Sequence, residues 1–135
     1  MDSSINLLKC LSFIAYQNCT AKFNGYSIPI ICVESPILTA SYYKEYLGFG
    51  IIYRSPMNRN SSVLIKKNSN WVLIKPIDSK KPICNQKLVL YSHRIDKEYS
   101  QLCNKVLVVK PFNSDLKEKF LIKDCNGMEI AFCSR

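Results

Sequence analysis

Residues Ile28 to Phe49 read IPIICVESPILTASYYKEYLGF. Ile28 to Glu34 is a short apolar, β-branched run, which predicts a buried strand. Ser35 followed by Pro36 is a helix start, with Ser as N-cap and Pro at the first helical position. The helix is expected to run to Leu47, with Ile37, Ala40, Tyr43 and Leu47 on one face. Gly48 stands where a left-handed C-terminal cap belongs. Phe49 to Arg54 then reads as a second strand.

Working outward from this stretch, Ser55 to Asn60 is a loop rich in turn formers. Ser62 to Lys67 and Trp71 to Pro76 are two strands joined by the polar turn Lys67-Asn-Ser-Asn70, a hairpin signature. The same order then returns. Lys87 to Tyr91 is a strand, Ile95 to Asn104 a helix with Ile95, Tyr99 and Leu102 on one face, and Val106 to Lys110 a strand. After a loop from Pro111 to Leu116, strands at Lys119 to Lys123 and Met128 to Cys133 are joined by Asp124-Cys-Asn-Gly127. The two helix starts lie about sixty residues apart, so element order repeats although residue identity does not. The fold class expected is α+β, with two tandem βαβββ modules at residues 28–80 and 86–133 of a domain spanning 28–135.

Two stretches carry a resemblance to a known family. Val33-Glu-Ser-Pro-Ile-Leu-Thr-Ala-Ser-Tyr-Tyr-Lys-Glu-Tyr-Leu-Gly-Phe49 resembles the first helix of the vicinal oxygen chelate superfamily, which has a strand ending in Val, a cap, an aromatic pair and Leu-Gly-Phe. Phe120-Leu-Ile-Lys-Asp-Cys-Asn-Gly-Met-Glu-Ile-Ala-Phe132 is similar to that family's closing strands. The superfamily includes glyoxalases, fosfomycin-resistance enzymes, extradiol dioxygenases and bleomycin-resistance proteins. The resemblance covers about residues 28–133. It implies that the modules form a cupped, mixed and antiparallel sheet around a cavity, and it suggests a homodimer.

Enzymatic members hold a divalent metal with His, Gln or Glu near the start of each module's first strand and near the end of its last. Such a metal acts as a Lewis acid on vicinal oxygens. Carried onto this sequence, the first-strand positions fall on Ile28 and Lys87, and the last-strand position of the second module falls on Ala131. The stretch 71–77 of the first module contains no carboxylate or imidazole. Isoleucine and alanine have no donor atom and a protonated lysine repels a cation. No metal and no cofactor is therefore expected, and the chain reads away from an enzyme. His93, the single histidine, lies in a loop five residues past Lys87 and reads as a surface polar group. No Ser-His-Asp, Cys-His or Gly-rich phosphate motif is present.

Strand alternation selects which residues line the implied cavity. These are Ile28, Ile30 and Cys32; Lys87, Val89 and Tyr91; and Glu129, Ala131 and Cys133. Trp71, Leu73 and Lys75 join them if Val72 and Ile74 pack against the helix. Ile28, Ile30, Trp71, Lys75, Lys87, Tyr91, Glu129 and Ala131 are the candidate ligand-binding residues. Glu129 is a candidate ion-pair partner for Lys87. Trp71 reads either as core or interface, or as a stacking surface for a ligand.

The composition bounds the rest. The chain has 135 residues, 47% hydrophobic, with 19 Lys and Arg against 10 Asp and Glu, a net charge of +9. That is enough chain for one domain's core, and it excludes disorder and low-complexity classes. Residues 1–80 carry nine basic and four acidic side chains and residues 81–135 carry ten and six, so the charge has no tail and no block. Nucleic acid is not expected, since no helix-turn-helix, zinc finger or aromatic RNA-binding signature occurs. The charge also disfavours a cationic ligand such as bleomycin. Seven cysteines without any C-x-x-C pair read as small apolar residues in a reducing cytoplasm. No apolar run is long enough to span a membrane. Residues 1–27 are read as an extension carrying a short amphipathic helix over 3–16, with Ile5, Leu8, Leu11 and Ala15 facing protein.

Three functions are weighed. The first is a metal-free, bleomycin-resistance-like protein that sequesters a neutral or anionic small molecule. The second is a metal-dependent glyoxalase- or dioxygenase-type enzyme with unrecognised ligands, which metal analysis would reveal. The third is a non-catalytic interaction protein whose pocket is closed. An open cavity bounded by Ile28, Trp71, Lys87 and Glu129 favours the first, and a filled one the third.

Overall fold

The change from an apolar period of two to a helix cap at Ser35 and back sets the architecture of the computed structural model, which describes residues 20–23, 26–54, 62–77 and 87–135. The chain divides into two compact units, residues 1–85 and 86–135. The expected helix over 3–16 lies outside the described residues.

The first unit contains β1 (Thr20–Phe23), β2 (Tyr26–Val33), α1 (Pro36–Leu47), β3 (Gly50–Arg54), β4 (Val63–Lys67) and β5 (Asn70–Pro76). Its strand order is β1-β2-β5-β4-β3. Only β2 and β5 run parallel, as a helical crossover requires; the other neighbours are antiparallel. The residues of β2 that pair with β1 end at Pro29, and those that pair with β5 begin at Ile30. The proline, which has no N–H to give to a ladder, thus sits where pairing changes partner. β1 lies within the stretch 1–27 read from sequence as an extension, in which only the helix over 3–16 was assigned. Apolar β2 offered a pairing edge, and the short run before it supplies the strand.

Helix α1 is closed at both ends as its sequence dictates. The Leu38 N–H donates to Ser35 Oγ at 3.2 Å, and Pro36 occupies the first turn. At the other end Gly48 takes φ +79°, and its N–H donates to the Tyr43 carbonyl. Lys67 Nζ donates to the Leu47 carbonyl at 2.7 Å, satisfying one of the last-turn oxygens. Pro36, Thr39, Ala40, Tyr43 and Leu47 are buried. Ala40, Tyr43 and Leu47 hold the expected stripe, while at its start Ile37 is only half-buried and Pro36 and Thr39 are buried instead. The helix covers the sheet face of Ile31, Val33, Val63, Ile65, Val72 and Ile74, each at most 4% exposed. Each such side chain contributes about 1.5–3 kcal/mol on burial.

The second unit repeats the plan with β6 (Lys87–Ser92), α2 (Ile95–Leu102), β7 (Leu107–Lys110), β8 (Glu118–Lys123) and β9 (Glu129–Ser134), in the order β6-β9-β8-β7. Again the first and last strands are parallel. In both units the strand that follows the helix lies at the sheet edge and carries an irregularity in register, at Ile51/Tyr53 and at Val108/Lys110. α2 ends two residues before the expected Asn104, where the Cys103 N–H closes on the Tyr99 carbonyl at 2.9 Å. It has no side-chain cap hydrogen bond at Arg94 and buries only Leu102 fully. Tyr99 is half-buried and meets Phe120 edge-on at 5.0 Å, and Phe120 stacks on Phe132 at 4.3 Å. The β8–β9 turn is built on Asp124, whose Oδ1 accepts the N–H groups of Asn126 (2.8 Å) and Met128 (3.0 Å) while Gly127 takes φ +78°.

The fold is therefore α+β, two tandem βαβββ modules, with one further strand at the start of the first. No helix among the described residues is long and apolar enough to cross a membrane.

Candidate ligand-binding faces

Each unit has a sheet face turned away from its helix, and the candidate residues fall on these two faces. In the first unit, pairing of Ile30 with Leu73, Cys32 with Lys75, and Leu64 with Leu73 places those side chains together. Ile28, Ile30, Cys32, Leu64 and Leu73 form one buried cluster, with Tyr53 and Trp71 partly buried against it. Leu64 and Leu73 are fully buried, and Ile28 and Ile30 retain 5% and 3% of their surface. Lys66, beside Trp71 on the neighbouring strand, holds its Nζ 4.7 Å from the indole centroid. That is a cation–π contact. Lys75 is buried. Trp71 thus belongs to an aromatic and apolar rim whose charge is supplied by lysine.

In the second unit the corresponding face is charged. Parallel register sets Lys87 beside Glu129, Val89 beside Ala131 and Tyr91 beside Cys133. The partner of Lys87 is Glu118: Nζ lies 2.9 Å from both carboxylate oxygens, and each side chain keeps 38% of its surface exposed. Glu129, the partner expected from sequence, adds only a longer-range attraction. The hydrogen bond that Lys87 donates to Glu118, with the charges of Glu118 and Glu129 behind it, holds the Lys87 ammonium above the ordinary lysine range. Burial pushes the Cys133 thiol up, and the Glu118 charge adds to this, so the thiol stays protonated and unreactive near neutral pH. Ala131 is fully buried and Tyr91 exposed, with the Arg135 guanidinium 5.5 Å from its ring.

Glu118 was missed for a definable reason. Simple alternation from Phe120 puts Glu118 on the helix side. The register irregularity between Glu118 and Phe120 pairs Glu118 with Cys133 and Phe120 with Phe132, which turns Glu118 onto the face of Lys87. Lys66 and Tyr53 were also absent from the candidates. Lys66 is legible as the cross-strand neighbour of Trp71 once the hairpin register is set, whereas Tyr53 lies beyond the irregularity in β3.

The strand registers also settle the fourth position at which enzymes of the resembled family carry a metal ligand. Ile28 in β2 and Lys87 in β6 stand at equivalent places. Two residues on, Ile30 pairs with Leu73 and Val89 with Ala131, so Leu73 is the counterpart of Ala131. The set Ile28, Leu73, Lys87 and Ala131 contains no atom able to bind a divalent cation. No group of three or more His, Cys, Asp or Glu among the described residues has metal-site geometry. His93 is exposed between β6 and α2. The side chains at these four described positions do not fit a metal.

The sequence matches no protein-family model and no curated protein. Solved structures do match. TioX from Micromonospora sp. ML1 superposes with a TM-score of 0.67 at 12% identity, over 82% of this chain and 95% of that one. TnmS3, an antibiotic binding protein from Streptomyces sp. CB03234, gives 0.62 at 17% identity over 79% and 92%. A member of the glyoxalase/bleomycin resistance protein/dioxygenase superfamily from Sphaerobacter thermophilus gives 0.61 at 16% identity over 78% and 93%. With its two βαβββ modules and these superpositions, the chain has the fold of the glyoxalase/bleomycin resistance/dioxygenase, or vicinal oxygen chelate, superfamily.

Proposed function

We propose that this protein is a metal-free, non-catalytic member of that fold group that binds and sequesters a neutral or anionic small molecule. The reading rests on one observation: the four places where enzymatic relatives hold metal ligands are occupied here by Ile28, Leu73, Lys87 and Ala131. A site so furnished holds a ligand by apolar contact, aromatic stacking and a few hydrogen bonds. Trp71 with Tyr53 supplies the aromatic surface, and Lys75 and Lys66 supply positive charge on the same face. Lys87 is less available to an anion than the sequence implied, because Glu118 already offsets its charge. A fold neighbour that is an antibiotic binding protein agrees with sequestration as the mode of action. A homodimer and a cytoplasmic location belong to the same reading.

A second reading, an interaction protein with a closed pocket, is favoured by the burial of Ile30, Leu64 and Leu73, which leaves little apolar surface for a ligand. Thermal-shift screening of anionic, neutral and cationic aromatic panels separates the two. A reproducible rise in Tm with neutral or anionic compounds, lost in Trp71→Ala, supports sequestration; no hit in any panel supports the closed pocket. Stoichiometric nickel, zinc, manganese or iron in protein purified without chelator overturns the metal-free reading. Sedimentation equilibrium tests the dimer.

A further inference from the structure

We propose that the free edge of β7 in the second unit is a docking site for an acidic peptide segment, which adds to the sheet as an extended strand. β7 pairs with β8 on one side only and ends the sheet order β6-β9-β8-β7. An edge strand offers a row of N–H and C=O groups to an incoming chain. Leu107 and Val109 on this strand are 65% and 40% exposed, Leu107 second only to Leu38 among the described large hydrophobics. Lysines surround them. Lys105 and Lys110 flank the two on the chain, Lys123 lies opposite Leu107, and Lys117 stands in the adjoining loop.

Charge complementarity decides the occupant. None of these four lysines has an ion-pair partner among the described residues. Of the nearby acids, Glu118 pairs with Lys87 and Asp124 serves its own turn, while Glu129 stands across from Lys123 and Asp115 lies in the loop beside Lys117, so Lys105 and Lys110 carry most of the unbalanced charge. A second copy would bring the same basic edge against this one, and lysine on an edge strand is a known device against such self-pairing. A lipid surface could take Leu107 and the lysines but leaves the edge amides without strand partners. An acidic segment with apolar residues at alternate positions satisfies all three features at once. The corresponding edge of the first unit also exposes Ile51 and Ile52, but of the nearby lysines Lys66 lies over Trp71 and Lys67 is bound to the Leu47 carbonyl.

The test uses the full chain and a fluorescein-labelled eight-residue peptide alternating Glu and Val, read by anisotropy. Binding is expected to weaken with salt and to fall about tenfold or more in Lys110→Glu. Leu107→Asp, at a solvent-exposed position that does not threaten folding, is expected to weaken it similarly. The same peptide methylated on alternate backbone nitrogens should fail to bind. Equal binding of the methylated peptide overturns strand addition in favour of simple charge attraction. Capture by phosphatidylglycerol vesicles that is lost in Leu107→Asp, with no peptide binding, overturns it in favour of a membrane surface. A dimer dissociated by Leu107→Asp overturns it in favour of a second copy.

Discussion

The two units share one topology and differ in what they place on the face away from the helix. In the first, Ile28, Ile30, Leu64 and Leu73 make a buried apolar surface edged by Trp71 and Tyr53. In the second, equivalent strands carry Lys87, Glu118 and Glu129, and only Ala131, Cys133 and Leu121 are deeply buried. Lys87 stands where Ile28 stands, and Ala131 where Leu73 stands. The backbone plan is therefore indifferent to these side chains. The helix-side cores hold each unit together, and the opposite faces are free to diverge.

The sharpest way to break the contrast is to change Leu73. It is fully buried among Ile30 and Leu64, so Leu73→Ala is expected to cost about 2–5 kcal/mol, read from urea unfolding. Its counterpart gives the reverse experiment. Ala131 is also fully buried, and Ala131→Leu adds methylene groups where no space is held for them. A loss of about 1–3 kcal/mol is expected. A neutral or stabilising result there would mean that the second face has room, and would bring the two faces closer in character.

The helices give a smaller contrast of the same kind. α1 is capped by the Ser35 hydroxyl, whereas α2 begins at Arg94 with no side-chain cap. Ser35→Ala is expected to cost about 1 kcal/mol. Arg94→Ser in the other unit should leave stability unchanged or raise it by a few tenths of that. Thermal unfolding of the pair shows whether capping or packing positions each helix.

These differences mark what the sequence made legible. The Ser35-Pro36 start, the Gly48 stop, the hairpin at 67–70 and the turn at Asp124 are local chemistry, and each appears where its residues put it. The candidate faces followed from alternation, which holds for Ile28 to Cys32 and for Lys87 to Tyr91 because those strands have regular register. It fails at β3 and β8, where irregular register resets the side-chain direction, and so Tyr53 and Glu118 were missed. β1 was missed because a four-residue strand is set by the neighbour it pairs with more than by its own pattern. At the start of α1 burial also moved from Ile37 to Pro36 and Thr39, since burial there depends on how the helix lies on the sheet rather than on hydrophobicity alone.

A small effect is also expected at Lys87, and it bears most directly on the charged face. The ion pair with Glu118 is solvent-exposed, so Lys87→Met should change stability by at most about 1 kcal/mol, and less at high salt. Its pH dependence has a definite sign. The folded ammonium titrates above the ordinary lysine value, so its contribution is fully present below about pH 10.4, the unfolded value. The contribution is lost only as pH rises through the higher folded value. The difference between wild type and Lys87→Met should therefore be flat between about pH 7 and 9 and should shrink in the alkaline range above 10. Should the difference instead grow with salt, or exceed the cost of Leu73→Ala, the charged face of the second unit would be structural in the way the apolar face of the first unit is. A small and salt-sensitive difference keeps the two faces distinct: one buried and held by packing, the other open and held by little more than its charges.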